Sequence, residues 1–169
     1  DIVRFLFIGR LSPVKGIQDI FSAFSRIKTE KWRLDVLGDG PLMESLKTDA
    51  QNEPLKGRVF LHGFCENTEK WLKECDCFLF PSYYEGMPLT LAEVVLMRVP
   101  FIVSDIPEVK ELTSGEGVHL PPGDVDSWAD AIGRVVDGTM ELKIPSASSV
   151  PTIEEMVDKT LEVYASVLT

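Results

Sequence analysis

Between Asp76 and Pro81 the chain carries Cys77-Phe78-Leu79-Phe80, a short run that is apolar at every position. A strand with one face in water alternates apolar and polar side chains. A strand apolar on both faces is covered on both, which is the position of a strand inside a parallel sheet. This run constrains the architecture more than any other segment, because a buried parallel sheet calls for helices above and below it.

The rest of the chain agrees. Ile2 to Ile8 reads as a buried strand, and Ile17, Ile20, Phe21, Phe24 and Ile27 then recur at helical spacing. Trp32 to Leu37 reads as the next strand and Gly38-Asp39-Gly40-Pro41 as a turn, with Pro41 opening a helix whose stripe is Leu42, Leu46 and Ala50. Strands are expected over Val59 to His62, Cys77 to Phe80, Phe101 to Ser104 and Val118 to Leu120. Helices are expected over Thr68 to Glu74, Leu89 to Met97, Pro107 to Leu112 and Ser127 to Val136. The pattern is an α/β fold: a doubly wound, Rossmann-like parallel sheet of about six strands with helices on both faces. Residues 1–150 form this domain. Asp137 to Val150 reads as a connecting segment, and residues 151–169 as a C-terminal helix with the stripe Met156, Val157, Leu161, Tyr164 and Leu168.

At 169 residues the chain is long enough to bury a core without disulfides or a structural metal. A net charge of −10 argues against nucleic acid and against an anionic membrane surface. The three cysteines form no disulfide framework, and Cys75-Asp76-Cys77 lacks the second pair a zinc site needs, so reduced cytosolic thiols and no metal are expected. No stretch reaches the length of a membrane-spanning helix. Asp1 enters almost directly into a strand, as expected of a piece of a longer protein. His62 and His119 have no carboxylate or serine at a spacing that suggests a triad, and read as structural.

Two loops carry the chemistry. The first is Gly9-Arg10-Leu11-Ser12-Pro13-Val14-Lys15-Gly16, after the first strand, and the second is Glu85-Gly86-Met87-Pro88-Leu89-Thr90-Leu91-Ala92-Glu93, after Pro81-Ser82. Both belong at the carboxyl edge of the sheet, where such folds bind ligands. Gly86 allows close backbone approach. A helix beginning near Pro88 leaves the N–H groups of Leu89, Thr90 and Leu91 without intrahelical partners, which favours a phosphate. Glu85 and Glu93 would flank that anion. Carboxylates repel phosphate but accept hydrogen bonds from hydroxyl groups, so the pattern suits a phosphate with sugars on either side, a nucleotide sugar. Arg10 can fork onto two phosphate oxygens while Lys15 acts as a point charge. Gly38-Asp39-Gly40 follows a strand but has Met43 where a dinucleotide fingerprint wants glycine, so it reads as a helix-cap turn. Tyr83-Tyr84 suits either a pocket wall or packing beside the strand end.

These residues also resemble a known family. Gly9-Arg10-Leu11 with Lys15-Gly16, Gly38-Asp39-Gly40-Pro41, His62-Gly63-Phe64, Pro81-Ser82-Tyr83-Tyr84-Glu85-Gly86, Glu93, Pro100, Ser104-Asp105 with Pro107-Glu108, and Pro121-Pro122-Gly123-Asp124 stand in the order and spacing of retaining family 4 glycosyltransferases. The chain is similar to their C-terminal, donor-binding half on the GT-B fold. The resemblance implies that Arg10 and Lys15 contact the donor diphosphate and that the loop from Gly9 and the amides after Gly86, at Met87, Leu89 and Thr90, complete the cradle. It assigns Glu85 to the transferred sugar, Glu93 to the ribose, and Phe64 with Gly38 and Gly40 to the base. It places Glu85, Arg10 and Lys15 in the catalytic role, a hexosyl group being transferred with no cofactor or metal. It further implies a missing N-terminal acceptor-binding domain, without which the chain is inactive, and a cytoplasmic protein, at most peripheral at the inner face of a membrane.

Two departures stand out. Arg98 replaces a glycine that closes the helix, which suggests a different helix end, and Pro88 removes one phosphate-facing N–H while suiting a helix start. Two other functions remain open at this level. A nucleotide-sugar epimerase would also bind a nucleoside diphosphate, but needs acid/base groups across the sugar ring. A signalling receiver-like domain wants an acidic cluster after the first strand, where this chain has Gly9-Arg10-Leu11.

Overall fold

The computed structural model describes residues 2–147 and 150. The connecting segment is thus described in part, and the helix expected over 151–169 lies outside the described residues.

The strands are β1 (Val3–Ile8), β2 (Trp32–Leu37), β3 (Val59–Gly63), β4 (Cys77–Phe80), β5 (Phe101–Ser104) and β6 (Val118–Leu120). They form one sheet in the order β3-β2-β1-β4-β5-β6, every pair parallel. The helices are α1 (Ile17–Phe24), α2 (Met43–Ala50), α3 (Glu69–Glu74), α4 (Leu89–Leu96), α5 (Pro107–Thr113) and α6 (Val125–Val136). This is the doubly wound order of nucleotide-binding sheets, with the direction of winding reversed between β1 and β4. Receiver domains use a different order, 2-1-3-4-5, so that reading is set aside.

Strand alternation divides the core into two layers. Phe5, Phe7, Leu34, Val36, Cys77, Leu79 and Ile102 face α1, α2 and α6, meeting Ile20, Phe24, Leu46, Trp128 and Ile132. Leu6, Leu37, Phe78, Phe80, Phe101 and Val103 face the other way, onto Leu72 of α3, Leu91 and Val95 of α4 and Val109 of α5. All four residues of the Cys77–Phe80 run are buried, two toward each layer, as a strand covered on both faces requires.

Three local differences from the sequence reading have physical causes. Pro41 does not open α2. Leu42 N–H donates to Leu11 O of the neighbouring loop at 3.0 Å and Met43 N–H to Gly40 O at 3.0 Å, so residues 41–42 form a turn and the helix begins at Met43. Helix α6 begins at Val125, two residues before the expected Ser127, because Asp124 caps it, its carboxylate accepting from Ser127 N–H at 3.2 Å and Ser127 Oγ at 2.6 Å. The end of α4 is not altered by Arg98. Arg98 itself takes the left-handed conformation, φ 59°, and its N–H reaches Val95 O while Val99 N–H reaches Val94 O. Those two bonds make the usual left-handed helix closure, with Val99 and Val94 both buried beside it.

Candidate functional site

Reversal of the winding between β1 and β4 opens a crevice at the carboxyl ends of those strands, and the two chemistry-bearing loops emerge there side by side. They are tied together by backbone: Tyr83 N–H donates to Val14 O at 2.9 Å. Gly16, at φ 67°, sits so close that a Cβ would lie 2.2 Å from Pro81 O. A second brace comes from Tyr83, whose hydroxyl donates to Asp19 Oδ2 at 2.8 Å and whose ring packs beneath Gly123; that bond holds the phenol proton above its ordinary pKa. Tyr83 is thus braced by these contacts though 42% exposed, and Tyr84 is 67% exposed.

Two cavities flank Arg10. One, of about 270 Å³, is lined by Gly9, Arg10, Lys15, Ser82, Glu85 and the segment Met87–Thr90. The other, of about 310 Å³, is lined by Ile8, Gly9, Arg10, Leu37, Gly38, Asp39, Phe64 and Cys65, and is the more apolar. Gly9 and Arg10 belong to both, so the cavities form one trough across the β1 end. Arg10 is exposed, and its guanidinium has no hydrogen-bond or ion-pair partner among the described residues, its carbonyl alone accepting from Ser12 N–H at 2.9 Å. Phe64 is 76% exposed, its ring standing over the apolar cavity's mouth rather than in the core.

The other cation is occupied. Lys15 Nζ donates to Glu85 Oε1 at 2.7 Å and to Oε2 at 2.8 Å. Glu85 is buried, 6% exposed, which a carboxylate tolerates only with such a partner. The sequence reading had not placed these two side chains in contact.

Around Pro88 the cradle differs from expectation in one donor. Pro88 has φ −80° and ψ 67°, the centre of an inverse γ-turn, and Leu89 N–H donates to Met87 O at 2.9 Å. Leu89 is thus removed from the set of open donors. The N–H groups of Gly86, Met87, Thr90 and Leu91 have no acceptor among the described residues. Gly86 is not required by the fold: its φ is not left-handed, and a Cβ there would meet nothing within 4 Å.

Glu93 does not join Glu85 in lining the trough. It faces an open groove between α4 and the loop before α3, with Glu66, Asn67, Thr68 and Met97. Gly40 is also outside the trough. It packs on the preceding loop, a Cβ falling 2.5 Å from Leu11 O, while Gly38 both lines the trough and lies where a Cβ would be 1.8 Å from Gly9 O. Buried Ser82 and exposed Asp39 also line the trough, neither of them marked as a site residue by the sequence pattern.

His62 does have a carboxylate partner. Asp35 Oδ1 lies 2.6 Å from His62 Nε2 while Arg33 donates two bonds to the same carboxylate, and His62 stacks on Trp71 at 4.3 Å. The cluster is self-paired and lies on the α3 face, away from the trough; a small cleft beside it is lined by Arg4, Arg33, Asp35 and Glu74, with Arg4 3.8 Å from Glu74. His62 is thus paired with Asp35 across 27 positions, a contact its spacing in the sequence does not show. No group of three or more potential metal ligands occurs among the described residues, and none of the described helices is long and apolar enough to cross a membrane.

Comparison with known proteins agrees with the fold. A UDP-Gal:α-D-GlcNAc-diphosphoundecaprenol α-1,3-galactosyltransferase of Escherichia coli is 35% identical over 140 residues, covering 79% of this chain and 36% of that protein. A lipopolysaccharide 1,6-galactosyltransferase of Salmonella typhimurium is 28% identical over 165 residues, covering 91% of this chain and 45% of that one. The chain thus spans less than half the length of these relatives. Among solved structures, the apo form of the lipopolysaccharide outer core galactosyltransferase WaaB superposes with a TM-score of 0.73 at 26% identity, over 83% of this chain and 42% of that one. Anabaena HepE in complex with UDP shares the fold at a TM-score of 0.76 and 19% identity, over 88% and 43% of the two chains. The family model for glycosyl transferases group 1 matches residues 3–138, which hold all six strands and the six α-helices among the described residues, and the chain belongs to that family, as a domain of the GT-B type.

Proposed function

We propose that this chain is the donor-binding half of a retaining glycosyltransferase that transfers a hexosyl group from a nucleoside-diphosphate sugar to a glycan or other acceptor. The observation that carries the reading is the trough itself. An apolar cavity with an exposed aromatic at its mouth is joined, through an unpartnered arginine, to a polar cavity bounded by a lysine, a glutamate and open amides. That is the sequence of chemistries along a nucleotide sugar: base, diphosphate, sugar.

Each residue has a place in this reading. Phe64 and the backbone at Gly38 border the base. Arg10 forks onto the diphosphate, assisted by Lys15 and by the N–H groups of Gly86, Met87, Thr90 and Leu91 at the positive end of α4. Gly86, free of any demand from the fold, leaves room for a phosphate oxygen against the backbone. Glu85 accepts hydrogen bonds from the sugar hydroxyls. Glu93, which lines a separate groove beside α4, takes the ribose hydroxyls.

The chemistry asked of these groups is stabilisation of a leaving group. As the glycosidic C–O bond breaks, negative charge gathers on the diphosphate, where Arg10, Lys15 and the α4 amides neutralise it without a metal. The acceptor attacks on the same face, its proton passing to the departing phosphate, so the anomeric configuration is kept. The acceptor would be held by an N-terminal domain closing over the trough, in a cytoplasmic protein working at most at a membrane's inner face. The name of the E. coli relative makes UDP the first nucleotide to test.

Calorimetric titration of UDP, GDP and ADP and their sugar conjugates into this chain, with Arg10→Ala alongside, tests the reading. One nucleotide should bind selectively, and Arg10→Ala should weaken it about tenfold or more, the worth of a charge-assisted bond to phosphate. Binding indifferent to Arg10, or none at millimolar ligand, contradicts it.

A further inference from the structure

We propose that the Lys15–Glu85 ion pair is a gate on the diphosphate site, which makes the site favour an intact nucleotide sugar over the nucleoside diphosphate left after transfer. The inference rests on the donor-site reading above and adds a property that neither residue has alone.

Both oxygens of Glu85 hold one ammonium, at 2.7 and 2.8 Å. The carboxylate is buried and the lysine side chain is 27% exposed, so the pair is shielded from water's screening on one side and open to the trough on the other. It cannot drift apart easily. Lys15 ends the short 3-10 turn Pro13–Lys15, its own N–H bonded to Ser12 O, and the Val14–Tyr83 backbone bond clamps that turn to the loop carrying Glu85.

A phosphate arriving here meets a neutral pair instead of a cation. Two of the three Lys15 donors are already used by Glu85. A bare nucleoside diphosphate has nothing to offer Glu85, so it either shares Lys15 or leaves an uncompensated buried carboxylate behind. A nucleotide sugar brings hydroxyl groups. They donate to one Glu85 oxygen, replace the ammonium there, and release Lys15 toward the phosphate. Sugar binding and diphosphate binding are thereby coupled through one side-chain contact, and the coupling disappears once the sugar has been transferred.

A substitution that damages the sugar site should therefore improve binding of the product. With UDP as probe and inorganic pyrophosphate as a second probe free of any base, Glu85→Gln should tighten binding about three- to tenfold relative to wild type. It should weaken UDP-glucose relative to UDP. In a Lys15→Met background the same substitution should change UDP affinity less than about twofold, because the ammonium it would release is absent. Should Glu85→Gln fail to fold, Glu85→Asp, which lengthens the contact but keeps the charge, should give a smaller gain in the same direction.

Unchanged or weaker UDP binding by folded Glu85→Gln overturns the gate, as does a full gain that persists without Lys15, which would be simple repulsion between Glu85 and phosphate. The underlying reading fails in a different pattern: UDP binding indifferent to Arg10→Ala and Lys15→Met alike, or absent from wild type and every variant, removes the site and the gate together.

Discussion

Arg98 shows how a residue can obey a structural demand its own chemistry resists. Its φ of 59° is a conformation in which a Cβ crowds the following carbonyl oxygen, and it is held there by the closure bonds of α4. Replacing it with glycine should raise stability by about 0.5–1 kcal/mol in urea unfolding, with trough ligands binding as before. A loss of stability would mean that the arginine side chain has a compensating contact. The sequence reading identified the position as one that wants glycine and drew the wrong consequence, expecting the helix to end differently. The closure bonds at 94–99 and a buried Val99 hold the geometry whichever side chain stands at 98. Arg10, Lys15, Glu85 and Gly86 were legible one by one, because chemistry of each type after a strand points to a ligand. Their pairing was not. Lys15 and Glu85 are separated by 70 positions, and only the parallel adjacency of β1 and β4 brings them together. The same limit applies to His62 and Asp35, 27 positions apart on neighbouring strands.

At the scale of elements, strands were read more accurately than helix starts. A strand buried on both faces ends where the sheet's cover ends, so β4 and β5 fall where their apolar runs fall. Helix starts depend on which acceptor captures the first few N–H groups. Leu11 O captures that of Leu42, Met87 O that of Leu89, and the Asp124 carboxylate that of Ser127. The Asp124 cap carries a testable pH dependence. Its bonds to the Ser127 hydroxyl and N–H hold the carboxyl below its usual pKa. A depressed folded-state value means the stabilisation is fully present above the unfolded pKa and is lost as pH falls through the native one. Asp124→Ala should therefore melt at a lower temperature than wild type near neutral pH, with the difference closing in acid below the ordinary carboxylate range. A difference that is constant with pH would show that the cap is not acting through its charge.

The whole molecule joins these scales through strand order. Because winding reverses between β1 and β4, the two loops that follow those strands splay apart at the carboxyl edge and leave a trough whose wall is backbone and whose polar groups come from both sides. An acidic chain of net charge −10 holds there an unpartnered arginine and a lysine masked by glutamate, which concentrates anion recognition in one place. The chain also spans under half of the galactosyltransferases it matches. The measurement that tests the account most directly is a crystal structure of the chain with UDP. The account predicts the diphosphate between the Arg10 guanidinium and the open N–H groups of Thr90 and Leu91, with the uracil against Phe64 and Gly38. UDP seated elsewhere, such as the cleft beside Arg33 and Asp35, would contradict it.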